Sequence, residues 1–97
     1  MNVIVSIRAL KNLRKVPLHI AQKFLLWKRT VEEIGINNAE YIRHYKDEAL
    51  TGKLKDWRSI RLNQAYRAYY RIVNDAVKIL YVEEVNKHDY KKIERIY

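Results

Sequence analysis

Hydrophobic positions change their period along the chain, from a helical spacing in the first half to a two-residue alternation in the second. Within Leu18–Ile34, large apolar residues recur at spacings of three and four, which predicts an amphipathic helix that ends at Gly35. Within Tyr66–Val73, polar and apolar residues largely alternate, which predicts a strand with two unlike faces. The pattern therefore predicts a chain that contains both helices and a sheet.

Shorter runs predict the remaining elements. Asn37 or Asn38 can cap a short helix that runs through Tyr45, and Thr51-Gly52 indicates a loop. The other predicted elements are a strand over Asn2–Arg8, a helix over Ala9–Lys15, and strands over Trp57–Asn63 and Val77–Val85, while Lys91–Tyr97 can add a helical turn or follow the sheet edge.

This element order predicts an α+β fold, in which an N-terminal strand and helices pack on one face of a small, mainly antiparallel β-sheet. At 97 residues the chain is expected to form one domain, residues 1–97, with one core. The other sheet face is expected to remain open for function. The predicted core consists of Phe24, Trp27, Val31, Ile60, Leu62, Tyr70, Leu80 and Val82.

Composition narrows the classes of partner and chemistry. Lys and Arg number 20 against 11 Asp and Glu, a net charge of +9, so a polyanion or an acidic protein is the expected partner. The absence of cysteine excludes disulfides and a thiolate nucleophile, and the three histidines lack metal-ligand spacing, so no metal or cofactor is expected. Neither a signal peptide nor a membrane span is evident, which predicts a soluble cytoplasmic protein with no membrane partner.

Cationic side chains concentrate on one face of the second predicted hairpin. Alternation places Arg67, Tyr69 and Arg71 on one face of their strand, and Arg61 of the preceding strand can lie beside Arg67. Two neighbouring arginines repel each other unless an anion lies between them, so Arg67 is the first candidate for a phosphate clamp. Trp57 can stack on a base, although packing is the more ordinary role for such a ring.

Groups that can carry protons flank this sheet. Lys87-His88-Asp89-Tyr90 follows the last predicted strand, and His88 is the natural general acid or base near neutral pH. Upstream, Glu48 can accept the proton of a ribose 2′-hydroxyl, and Asp47 is an equally good candidate by chemistry alone. Glu83, Glu84 and Asp89 can bind a metal, but ion pairs with neighbouring Lys and Arg explain them as well.

Three segments resemble the RelE/HigB group of bacterial type II toxins, within the RelE/ParE superfamily. They are DEALTG, RSIRLNQAYRAYYRI and EVNKHDY, in the order typical of that group. As in the similar YoeB toxins, Glu48 precedes Ser59 by eleven positions, and Arg61 precedes Arg67 by six. One departure is that Asp89 separates His88 from Tyr90, where YoeB-like chains have a His-Tyr pair.

The resemblance implies an endoribonuclease that cleaves mRNA without a metal, on the ribosome or free of it, and that a cognate antitoxin protein silences. It leaves open whether Lys87, His88 or Tyr90 is the general acid. The implied catalytic residues are Glu48, Arg67, His88 and Tyr90, and the implied RNA-binding residues are Lys53, Lys55, Trp57, Arg58, Arg61, Tyr69, Arg71 and Lys87.

Two further hypotheses fit the same sequence. A ParE-like inhibitor of DNA gyrase has the same expected fold and basic sheet but no need of proton carriers. A basic RNA-binding module without catalytic activity differs little in sequence. The histidine and the upstream acid favour cleavage, because binding alone does not require groups that transfer protons.

Overall fold

The computed structural model describes residues 1–84, with side chains through Ala76. The predictions for Val85, for the Lys87–Tyr90 segment and for the Lys91–Tyr97 tail therefore lie outside the described residues. Within them, the elements are β1 (Val3–Val5), α1 (Ile7–Leu13), α2 (Leu18–Ile34), α3 (Ala39–Tyr45), β2 (Glu48–Ala49), β3 (Arg58–Arg61), β4 (Tyr66–Val73) and β5 (Ala76–Glu84). None of the described helices is long and apolar enough to span a bilayer.

The five strands form one sheet in the order β1-β5-β4-β3-β2. Only β1 pairs in parallel, with β5, and every other neighbouring pair is antiparallel. The hairpin between β4 and β5 turns at Asn74 and Asp75, with φ of 50° and 63°. Asn and Asp tolerate these left-handed angles, and two such residues in a row match the twist of the strands that they join. The expected α+β fold with a mainly antiparallel sheet is confirmed.

The helices cover one face of the sheet, and the core lies between them. On α2, the predicted stripe is buried at Ile20, Phe24, Trp27 and Val31, while its last member, Ile34, is exposed at the helix end. On the sheet, Ile60, Leu62, Ala68 and Tyr70 complete this cluster, with Tyr41 and Tyr45 from α3. Six predicted core residues are thus confirmed, Phe24, Trp27, Val31, Ile60, Leu62 and Tyr70. The side chains of Leu80 and Val82 lie outside the described part.

Local hydrogen bonds move two predicted boundaries. The hydroxyl of Ser6 accepts from the backbone N of Ala9 at 3.1 Å, so the first helix begins at Ile7 and the first strand is shorter than expected. Asn38 caps α3 by accepting from the backbone N of Glu40 and Tyr41, as one of the two predicted caps. Gly35, at φ 73°, ends α2 as predicted.

The sheet face opposite the helices was expected to remain open, and part of it is covered. After β2 the chain makes a 3-10 turn at Gly52–Leu54, which brings Leu50 and Leu54 against Trp57 and Tyr69. These four side chains form a second, small core. Burial of their apolar surface stabilises this arrangement.

Candidate functional site

A buried carboxylate links the helices to the sheet. Asp47 lies just after α3, where Lys46 adopts the left-handed conformation at φ 50°. Its carboxylate accepts hydrogen bonds from the Tyr41 hydroxyl at 2.6 Å, from the Tyr70 hydroxyl, and from Nε of Arg58 at 2.6 Å. Because its side chain is only 1% exposed, Asp47 cannot reach a substrate. By chemistry alone, Asp47 and Glu48 were equal candidates for the base. Burial excludes Asp47 from that role and leaves Glu48.

The donors to Asp47 are held in their protonated forms. Burial, followed by the hydrogen bond to Asp47, raises the pKa of Tyr41 and of Tyr70. Burial alone would lower the pKa of Arg58, but its hydrogen bond and ion pair with Asp47 outweigh burial and raise it. The indole N–H of Trp27 also donates to the Tyr41 hydroxyl, at 3.1 Å. Together these groups form a polar network with Asp47 at its centre.

The Asp47 network was not foreseen from the sequence, and it changes the interpretation of Arg58. The sequence offers little signal for it, because of the two tyrosine donors only Tyr41 stands near Asp47 along the chain, whereas Tyr70 lies on β4, 23 residues later. Arg58 was expected to bind RNA. Its side chain is 35% exposed and its Nε is committed to Asp47, so its first role is structural.

Glu48 is the exposed acid of this region. It lies on β2, at the edge of the sheet, with its backbone directly opposite Ser59 of β3. Because directly opposite residues of antiparallel strands share a face, Glu48 and Ser59 lie on the face away from the helices. Asp47, one position earlier, points to the helix side, as strand alternation requires.

Arg61 and Arg67 lie on that same face. They are directly opposite each other in the pairing of β3 with β4, and both side chains are half-buried. The register also places Glu83 of β5 beside Arg67. The Nε of Arg67 is buried and has no hydrogen-bond partner among the described residues. A buried N–H without an acceptor is unfavourable, so an acceptor from beyond the side chains described, such as a bound anion, would stabilise Arg67.

Strand spacing brings Glu48 within reach of this arginine pair. Glu48 is two strands and two residues away from Arg67, or about 12 Å at strand spacings of about 4.8 Å and a rise of about 3.3 Å per residue. Both side chains are long, so their charged ends can contact opposite sides of one small group. The structure therefore brings together three predicted site residues, which we call the Glu48–Arg61–Arg67 face.

The other predicted basic residues lie apart from this face. Arg71 is exposed and lies four residues beyond Arg67, or about 13 Å along β4. In the register of β4 with β5, its backbone is opposite Lys78. The buried ring of Tyr69 separates the two arginines. Lys53 and Lys55 are exposed at the 3-10 turn on the same side of the sheet. They extend the positive charge beyond the pair Arg61 and Arg67.

Two aromatic predictions need correction. Tyr69 was expected on the open face as an RNA-binding ring, but it is 0% exposed, because Leu50, Leu54 and Trp57 pack against it. Trp57 itself is 5% exposed, which matches the packing role and leaves its ring little surface for a base. Neither ring offers a stacking platform in this conformation.

The remaining candidates divide into described and undescribed residues. Lys87, His88, Asp89 and Tyr90 lie outside the described part, so their position relative to Arg67 stays a prediction. His44 is exposed and packs edge-on against Tyr45, with ring centroids 4.7 Å apart. Among the side chains described, which end at Ala76, no group of three His, Asp or Glu is arranged to hold a metal ion.

Comparison with known proteins identifies the fold. No protein-family model and no curated protein matches the sequence. Among solved structures, the chain is similar to a YoeB/ParE toxin from Agrobacterium tumefaciens, with TM-score 0.67, 12% identity, and coverage of 87% of this chain and 98% of that one.

Two complexes give the same result. The archaeal RelE-RelB complex from Pyrococcus horikoshii OT3 matches with TM-score 0.67 and 19% identity, over 90% of this chain and 97% of that chain. The toxin-antitoxin complex RelBE2 from Mycobacterium tuberculosis matches with TM-score 0.66 and 24% identity, over 86% and 95%. At these identities the likeness concerns architecture. The chain adopts the fold of the RelE and YoeB/ParE toxins.

Proposed function

We propose that this protein is the toxin of a type II toxin-antitoxin system, a single-domain, metal-independent endoribonuclease that cleaves mRNA in the cytoplasm. The observation that carries the proposal is the Glu48–Arg61–Arg67 face. It combines an exposed carboxylate with two facing guanidinium groups, on neighbouring strands of a sheet. The shared fold with RelE and YoeB/ParE structures supports the same assignment.

The arginine pair favours a phosphodiester as its ligand. Arg61 and Arg67 lie directly opposite each other on the neighbouring strands β3 and β4. Two like charges in such positions repel each other unless an anion lies between them. Among the side chains described, none accepts from the Nε of Arg67, and a guanidinium fork matches the oxygens of a phosphate. A phosphate would lower both costs further than Glu83, which lies opposite Arg67 on β5, does alone. Surrounding cations, with a net charge of +9 for the chain, would attract RNA over a longer range.

Glu48 supplies the proton acceptor for cleavage. As the carboxylate removes the proton of the ribose 2′-hydroxyl, that oxygen attacks the adjacent phosphorus and the bond to the 5′-oxygen breaks. Arg67 stabilises the negative charge that develops on the phosphate oxygens. The departing 5′-oxygen takes a proton from Lys87, His88 or Tyr90, and a 2′,3′-cyclic phosphate forms. No metal takes part in these steps.

The same surface would serve two kinds of partner. The mRNA binds the basic face, with the ribosome presenting it, and the RNA-binding residues extend to Lys53, Lys55 and Arg71. A cognate antitoxin protein would cover part of this surface and block access. The architecture supports that partner, because the similar RelE chain was solved in complex with RelB.

Cleavage of mRNA in a translation reaction tests the proposal. Purified protein is added to translating ribosomes, and cut sites are mapped by primer extension for the wild type, Glu48→Gln, Arg67→Ala and His88→Ala. We expect cuts with the wild type and a loss of at least about 100-fold in rate for Arg67→Ala, the range for a lost oxyanion donor. Ile20→Val, a conservative change in the core, serves as the matched control.

Two other outcomes would overturn the nuclease assignment. Inhibition of DNA gyrase with intact mRNA would make the protein a ParE-like inhibitor. Binding of RNA without either effect would make it a non-catalytic RNA-binding module. Cleavage that survives removal of both Glu48 and Arg67 would contradict the assignment of the site, even if the protein is a nuclease.

A further inference from the structure

Glu48 lies on a strand that is too short to hold its own position. β2 has two residues, at the edge of the sheet, and its pairing is limited to Ser59 and Arg58. One further backbone bond, from Leu50 N to Trp57 O at 2.9 Å, follows it. Such a short edge strand frays readily unless other contacts hold it.

Those contacts come from the preceding residue. The backbone N of Asp47 donates to Ile42 O at 3.2 Å, which fixes the end of α3. The carboxylate then accepts from three side chains on three different elements, Tyr41 on α3, Arg58 on β3 and Tyr70 on β4. Both the backbone and the side chain of Asp47 are therefore fixed, one peptide unit away from Glu48.

The bond to Tyr70 has a particular consequence for the site. Tyr70 lies on β4, three residues after Arg67, whereas Asp47 lies beside β2. This hydrogen bond therefore passes behind β3 and joins the strand of the carboxylate to the strand of the guanidinium. Because Asp47 lies on the helix side and Glu48 on the opposite side, the anchor does not compete with RNA for space.

We propose that Asp47 is a positioning residue, whose buried hydrogen bonds to Tyr41, Tyr70 and Arg58 hold Glu48 at a fixed distance from Arg67 for attack on the phosphodiester. This inference rests on the proposed function, because it assigns Glu48 a role in cleavage. Asp47 itself touches neither the RNA nor the reacting atoms. Its effect on the reaction passes through the backbone of β2.

The test separates positioning from folding and from the nuclease assignment. Asp47→Asn keeps the shape of the side chain but cannot accept from both tyrosines and Arg58 at once. Tyr70→Phe keeps Asp47 and removes only the link to β4, so it serves as a milder second variant. Val31→Ala removes methyl groups from the core, where Val31 is 0% exposed, and is the control for loss of stability alone.

Two readouts are measured at a temperature where each variant is at least about 95% folded, as urea unfolding would establish. In single-substrate kinetics, Asp47→Asn should lower kcat by about tenfold or more with KM within about twofold, the pattern of a misplaced catalytic group. Tyr70→Phe should lower kcat less, and Val31→Ala should leave it unchanged. In hydrogen exchange, the Leu50 amide should exchange faster in Asp47→Asn, with the amides of α2 unaffected.

The kinetic and exchange results distinguish failure of the positioning role from failure of the proposed function. Unchanged kcat and unchanged exchange at Leu50 in Asp47→Asn would overturn the positioning role. An equal fall of kcat in Val31→Ala would also overturn it, since stability alone would then explain the loss. If the wild type and Glu48→Gln both fail to cut RNA, the proposed function fails instead, and the exchange data alone decide whether Asp47 holds β2 in place.

Discussion

Replacing Asp47 by alanine should destabilise the protein by an amount that the buried network sets. The substitution removes the acceptor of two buried hydroxyl groups and one guanidinium. Tyr41 and Tyr70 are 2% and 0% exposed, so water cannot replace the lost acceptor without a change in packing. The arginine is different, because its side chain is 35% exposed and can turn toward solvent.

The expected magnitude follows from these exposures. Each buried hydroxyl that loses its acceptor costs about 1–2 kcal/mol. The partly exposed Arg58 adds only a few tenths of a kcal/mol, since solvent screens it, roughly as at a surface pair. Asp47→Ala should therefore lower the free energy of unfolding by about 2–4 kcal/mol in total.

Urea unfolding at neutral pH, followed by tryptophan fluorescence, measures the change. A triple variant that combines Asp47→Ala with Tyr41→Phe and Tyr70→Phe should recover part of the loss, because it removes the donors together with their acceptor. A loss below about 1 kcal/mol for Asp47→Ala would refute the reasoning. So would a triple variant whose loss equals or exceeds the sum of the three single losses, because uncoupled groups add.

Three other measurements probe separate parts of the structure. Because the pKa values of Tyr41 and Tyr70 are raised, their contribution to the free energy of unfolding is intact below pH 10 and is lost progressively above it. Tyr70→Phe should therefore flatten the alkaline fall in stability by about 1.4 kcal/mol per pH unit. An unchanged slope would contradict the raised pKa of Tyr70. Arg67→Leu should abolish cleavage and leave the free energy of unfolding unchanged or raise it by up to about 1 kcal/mol. The reason is that it removes the contact with Arg61 and a buried N–H that has no partner among the side chains described. A clear destabilisation would show that Arg67 has a structural partner, for which Glu83 on β5 is the candidate. Lys55→Ala should reduce the slope of log Kd against log salt concentration for single-stranded RNA by about 0.7, whereas an unaltered slope would place Lys55 off the RNA path.

The sequence predicts the layers of this fold well because period and burial agree there. The α2 stripe at Phe24, Trp27 and Val31 is buried as expected, and β4 has the predicted bounds. Ser6 shifted the first helix because one capping hydroxyl outweighed the β propensity of the residues after it. Local chemistry of this kind decides boundaries that periodicity leaves open.

The candidate site was harder to predict, since it depends on contacts between distant parts of the chain. Alternation placed Tyr69 correctly on the sheet face away from the helices, but it could not show that Leu50 and Leu54 would cover the ring. Chemistry alone did not distinguish Asp47 from Glu48. Their difference arises from Tyr41 and Tyr70, which approach Asp47 only in the folded state.

A double-mutant cycle on RNA cleavage tests most directly whether Glu48 and Arg67 act on one phosphodiester. Single-turnover rates are measured for the wild type, Glu48→Gln, Arg67→Lys and the double variant, on an RNA whose cut site has been mapped. If both groups act in the same transition state, the double variant should be within about tenfold of the slower single variant. Losses that multiply, or a single variant that cleaves at the wild-type rate, would contradict a shared site.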